Sequence, residues 1–231
     1  MSYLRKRKMN KNVRIIQLSS VATCGKDLFF SIAKKILKKN GYNAIRFAYA
    51  DPVKRDLDSF LIEKTGISAF TTNPEEKKLI RPFIVAYSTT LMRKINPNIW
   101  IEKTDAYLES LTSDLECFHV DTDILIGSDG RFPNEIEYVR NLFGQTIHIK
   151  KYTNNIQYTA EGLNVSTRTY TPPVNEEEAY YDPLNYEMAD IKIEWEDMGK
   201  SPSELIDNEY LNKIVFDTLN KLDYFSGKLS Q

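Results

Sequence analysis

Short apolar runs rich in β-branched residues alternate with amphipathic segments along most of this chain, and that alternation constrains the fold more than any other feature. Val13–Leu18, Ala44–Tyr49, Thr122–Ser128, Thr146–Ile149 and Ala189–Trp195 predict strands. Lys26–Asn40 predicts a helix. Phe29, Ile32, Ala33, Ile36 and Leu37 share one face of it, and Lys34, Lys35, Lys38 and Lys39 share the other. Asn40-Gly41 is a helix stop. Asp51 as N-cap and Pro52 at the first helical position start a second helix. Further helices are predicted over Glu75–Ile95, Trp100–Leu111, Pro133–Leu142 (stopped by Phe143-Gly144) and Ser203–Leu222. Residues 151–186 lack periodicity and contain Pro172-Pro173. Strand–helix alternation predicts parallel βαβ units: an α/β fold with a mostly parallel sheet flanked by helices. Ligands of such sheets bind beyond the carboxyl ends of the strands.

Composition narrows the class. At roughly 150 residues per domain, 231 residues make one elaborated domain or two small ones. Two cysteines, Cys24 and Cys117, are too few for a disulfide framework and predict a reducing, cytoplasmic setting. No apolar run reaches the length of a membrane helix, and no apolar stretch follows the basic start as in a secretory signal. The net charge of −1 gives no general reason to expect a nucleic-acid partner. It conceals two local biases. Arg5, Lys6, Arg7, Lys8, Lys11 and Arg14 make a basic start, read as a solvated arm over residues 1–12, and residues 175–209 carry twelve acids.

The turn after the first strand carries the chemistry. Ser20-Val21-Ala22-Thr23-Cys24-Gly25-Lys26-Asp27 has the spacing of the phosphate-binding loop G-x-x-x-x-G-K-[ST], set between a strand and a helix. Such a loop turns its N–H groups inward around an anion, the helix N-terminus adds its dipole, and the lysine reaches the terminal phosphates. Ser20 replaces the first glycine, and Asp27 replaces the hydroxyl that normally holds Mg²⁺. A carboxylate is also a hard-oxygen Mg²⁺ ligand. Ile124-Leu125-Ile126-Gly127-Ser128-Asp129 is an apolar strand ending in an acid, the form of a second Mg²⁺ ligand, and Arg131 follows as a cation for phosphoryl charge.

These residues resemble the deoxynucleoside monophosphate kinases of tailed bacteriophages. Four stretches carry the likeness: Cys24-Gly25-Lys26-Asp27; Phe47–Lys54 with its Ala50-Asp51-Pro52-Val53-Lys54 end; Arg81–Thr89 followed by Arg93 and Trp100; and Ser128-Asp129-Gly130-Arg131-Phe132-Pro133-Asn134-Glu135. Leu28 stands where the family has Thr, and Ser88 where Gly is common. The resemblance implies a three-layer P-loop kinase fold over 13–231 as a single domain, with a helical substrate-binding region at 51–118 and a lid at 151–186. It implies ATP- and Mg²⁺-dependent phosphorylation of a deoxynucleoside monophosphate, a homodimer, and a host-cytoplasmic setting. Carried over residue by residue, ATP would lie on Ser20–Asp27, with Arg168 of the lid as a further phosphate contact. Asp27 and Asp129 would hold Mg²⁺. Lys26, Asp129 and Arg131 would serve transfer, and Lys54, Arg81, Arg93, Trp100 and Arg131 would hold the acceptor. Two other readings stay open at this point: a P-loop kinase for another phosphorylated small molecule, and a non-catalytic nucleotide-binding module.

Overall fold

β1 (Arg14–Ser19) lies at the middle of a six-stranded sheet because it is apolar on both faces, and every residue from Ile15 to Ser19 is buried. The computed structural model describes residues 13–114, 116–158, 164–225 and 227–230. The basic arm of residues 1–12 lies outside that range. The strand path is β2 (Asn43–Phe47), β3 (Asp123–Gly130), β1, β4 (Gln145–Tyr158) and β5 (Asn164–Tyr170), and β6 (Ile191–Glu196) also pairs with β4. β1 pairs in parallel with β3 and β4, and β6 in parallel with β4. β5 pairs antiparallel with β4, as the return strand of a hairpin. The mostly parallel α/β sheet flanked by helices is therefore present.

Helix α1 (Lys26–Lys39) covers the sheet with Phe29, Ile32, Ala33, Ile36 and Leu37, the face its periodicity predicts. α9 (Glu209–Lys221) joins this core through Leu211, Val215 and Leu219. The predicted Ser203–Leu222 helix is two: α8 (Pro202–Leu205) ends, and Asn208 starts α9 anew by accepting the Leu211 N–H at 3.1 Å. α6 (Pro133–Asn141) follows β3, and Phe143 turns the chain with φ of 61°.

The 151–186 segment, read as a lid without periodicity, carries regular structure. β4 runs on to Tyr158, β5 returns to Tyr170, and α7 (Glu176–Met188) follows behind an Asn175 N-cap. Residues 159–163 lie outside the described range.

Contacts divide the chain into two compact units. The first comprises the described residues up to Arg46 together with His119 onward, and the second is Phe47–Phe118. The bounds of the second run close to the 51–118 helical region read from the sequence. It is helical: α2 (Ala50–Thr65), α3 (Pro74–Val85), a π-helical turn (Ala86–Met92), α4 (Arg93–Ile95) and α5 (Ile99–Ser113). α2 begins at Ala50, with Tyr49 at its cap and no side-chain cap bond, so Asp51 lies inside the first turn and is not the N-cap. The predicted 75–95 helix is broken into α3, the π turn and α4.

Candidate active site

Register brings the two sequence-predicted loops together. Ser19, the last residue of β1, pairs with Gly130 of β3, so Ser20–Gly25 and Asp129–Arg131 leave the same edge of the sheet side by side. A bulge assists: Gln17 pairs with Gly127, but Ser19 pairs with Gly130. Bulges of this kind re-aim the strand end that follows. Gly130 is favoured at that crossing, because a Cβ there would lie 2.9 Å from the Leu18 carbonyl oxygen and 2.6 Å from Gln17 Nε2.

The loop keeps its turn without the first glycine. Its positive φ values fall at Thr23 (66°) and Gly25 (93°), while Ser20 takes none. Gly25 is enforced twice: by its left-handed φ, and by the Trp195 ring, which would lie 2.7 Å from a Cβ. The Trp195 indole N–H also donates to the Cys24 carbonyl at 2.9 Å. In a trans peptide the following N–H points opposite to that carbonyl, so Trp195 turns the Gly25 N–H away from itself. Sequence reading placed Trp195 on a strand but gave it no role.

Lys26 is buried, and its ammonium donates to Ser20 O (2.9 Å), Ser20 Oγ (2.8 Å) and Val21 O (3.1 Å). Burial first, then the nearby Arg131 charge, lowers its pKa to about 8, opposed by Asp129 and Glu178 among others. Ser20 thus returns in hydroxyl what it lacks in flexibility: a direct partner for the lysine. Asp27 is exposed on the first turn of α1, and Asp129 is half-buried at the end of β3. Among the described residues no group of three or more His, Cys, Asp or Glu is placed to hold a metal. Mg²⁺ in phosphate sites can be held by one or two carboxylates together with the phosphates themselves.

Arg131 is held from three sides. Its guanidinium donates to Glu178 Oε1 at 2.9 Å, its backbone N–H goes to Glu135 at 2.8 Å, and its carbonyl accepts from Asn185 at 2.7 Å. Glu178 is buried, and its Oε2 also takes the Ala22 N–H of the loop at 3.2 Å. One turn on, Asp182 accepts from the Val21 backbone, and burial raises its pKa. The sequence reading missed both acids. The only signal for them was their i, i+4 spacing behind Asn175, inside an acidic run that also suits a solvated face.

Beneath the loop, fully buried His148 meets Ser19 Oγ through Nδ1 at 3.0 Å, and its Nε2 lies 3.6 Å from Asp182 Oδ1. Burial, then Lys150 and Lys26, lowers its pKa to about 3. The unfolded chain takes up this proton near pH 6.5, whereas the folded chain refuses it until about pH 3. Stability is therefore full above pH 6.5 and falls with acidification. The wild-type chain should lose about 2 kcal/mol between pH 6.5 and 5 from this group. Urea unfolding of His148→Gln across that range should show a shallower slope, and equal slopes would refute the assignment.

Arg168, on β5, pairs with Glu194 at 3.1 Å and covers the Tyr152 ring at 4.2 Å. Lys54, Arg81, Arg93 and Trp100 belong to the second unit. Lys54 sits over Phe70, and Arg93 reaches Pro97 O at 3.4 Å. Arg81 joins Lys77 and Lys78 along an open groove of about 710 Å³ that also touches Val85 and Thr90. Trp100 is buried, and its indole N–H goes to the Ser88 carbonyl of the π turn at 3.1 Å.

A scan against protein-family models finds no match for this chain, and a search of curated proteins finds none either. Among the described residues no helix is long and apolar enough to cross a membrane.

Proposed function

We propose that this chain is an ATP- and Mg²⁺-dependent kinase that phosphorylates a deoxynucleoside monophosphate on its phosphate. The observation that carries the reading is the convergence of a left-handed loop, Lys26 and Arg131 at the carboxyl edge of a parallel sheet, with the loop N–H of Ala22 already engaged by a carboxylate. That set of donors suits phosphoryl oxygens. The strand order supports it too, because β1 lies between β3 and β4, where the connections diverge, and sheets of this kind bind ligands at such points.

In the proposed reaction an oxygen of the acceptor monophosphate attacks the γ-phosphorus of ATP. One P–O bond forms, the bond to the bridging oxygen of ADP breaks, and the acceptor needs no strong base. Positioning and charge stabilisation then do most of the catalysis. The loop N–H groups hold the donor phosphates. Lys26 sets its ammonium on their terminal end, and an arriving anion raises its pKa back toward the ordinary lysine value. Arg131 neutralises charge on the group in transit. Asp129 and Asp27 would hold Mg²⁺, and the chemistry it would supply there is neutralisation of phosphate charge. The acceptor class rests on the likeness in Ser128–Glu135 and in Arg81–Trp100.

The deciding measurement is ADP release from ATP and Mg²⁺ with dGMP, dTMP, dCMP, dAMP and 5-hydroxymethyl-dCMP offered singly. At least one should stimulate ADP release with matching diphosphate product. Failure of all five rejects this acceptor class. Product formed instead from a phosphorylated non-nucleotide would move the chain to a different kinase class.

A further inference from the structure

Two of the loop's backbone donors, at Val21 and Ala22, are already engaged, and the occupant comes from the chain itself. α7 presents two carboxylates one turn apart. Glu178 takes the Ala22 N–H (3.2 Å) and the Arg131 guanidinium (2.9 Å), together with the Val174 N–H (3.2 Å), while Asp182 takes the Val21 backbone. A buried carboxylate needs such donors, and they are the ones a phosphoryl oxygen would need. Position within the loop says which phosphate is mimicked. The Lys26 ammonium rests on Ser20 and Val21, beside the residue whose N–H Glu178 takes. In phosphate loops that lysine serves the β- and γ-phosphates, so this is the terminal-phosphate end.

We infer that Glu178 is a specificity-determining residue, an internal stand-in for the terminal phosphate that a triphosphate must displace and a diphosphate can leave in place. The inference rests on reading Ser20–Asp27 as the nucleotide site. Displacement hands Arg131 from Glu178 to the incoming phosphoryl group and releases the first turn of α7 from the loop. The site thereby ties recognition of a terminal phosphate to movement of the helix that follows the hairpin.

The test is calorimetric titration of the full chain and of Glu178→Gln with ATP, ADP and inorganic tripolyphosphate at one ionic strength. Gln keeps the size and an acceptor oxygen but removes the charge. Losing a charge-assisted competitor should tighten ATP and tripolyphosphate roughly tenfold or more, with ADP changed less than about twofold. ATP bound no tighter by the variant would overturn the inference and leave Glu178 a helix cap. Equal tightening of ATP and ADP would overturn its placement at the terminal phosphate.

Should the variant not fold, hydrogen exchange on the wild-type chain decides. Tripolyphosphate should speed exchange in the first turns of α7 and slow it at Val21 and Ala22, and an unchanged α7 counts against displacement. A chain showing these shifts without acceptor-dependent ADP release keeps the inference and loses the monophosphate-kinase reading. Turnover without tightening does the reverse. No binding of ATP or tripolyphosphate to either form removes both.

Discussion

Lys26→Met should lower the proposed ATP-dependent transfer by about a hundred- to a thousandfold, the usual effect of removing one donor aimed at developing charge. The fold should survive. In the absence of nucleotide the lysine is a costly resident: burial and Arg131 hold its pKa near 8, against 10.5 for the free side chain. The folded chain thus releases this proton near pH 8, and the unfolded chain releases it near 10.5. Between these values the unfolded state binds more protons, so wild-type stability climbs by about 3 kcal/mol as pH rises. Methionine occupies the same space without charge, and the variant should lack the climb. Denaturant unfolding from pH 7.5 to 10.5, beside turnover assays, separates the two consequences. A variant that loses activity by unfolding, or one that keeps full activity, contradicts the role given to Lys26.

Trp195→Ala should destabilise the chain by about 3–5 kcal/mol, the range for emptying a large buried aromatic site. Trp195 is almost fully buried, packs near Phe29 at a ring distance of 6.3 Å, and belongs to the main core. Its loss also frees the Cys24 carbonyl and opens the space that holds Gly25 in its left-handed turn. Trp195→Phe separates the two contributions. It keeps most of the ring, loses the indole N–H, and should cost about 1–3 kcal/mol, with weakened tripolyphosphate binding as the loop loosens. Urea midpoints for both variants and titration of the Phe variant provide the check. An Ala variant within about 1 kcal/mol of wild type would show that the ring carries little of the core.

Much of the sheet was readable because its signals are local. Val13–Leu18 and Ile124–Ile126 are apolar without interruption, as central strands buried on both faces must be, and the α1 stripe repeats at helical spacing. The small-residue turn between strand and helix marked the candidate loop for the same reason. Placing Asp129 and Arg131 beside it required only that parallel strands end at one edge.

The hairpin and α7 left no such trace. Thr153–Asn155 and Ser166–Tyr170 are exposed, so alternation between an apolar and a polar face never arises. α7 has Pro183 inside it and no apolar stripe, and the side chains it buries include Glu178 and Asn185. Periodicity cannot detect a helix held by buried polar contacts to Arg131 and Ala22, since those contacts join residues 47 and 156 positions apart.

Residue order therefore set the alternation, the core faces, the loop and the acidic strand end at Asp129, because each depends on the chemistry of near neighbours or on a strand's burial. Folding alone brought Glu178, Asp182, His148 and Trp195 to that loop. Their partners are chosen by strand register and helix packing, and no spacing along the chain encodes which buried donor will meet which acceptor.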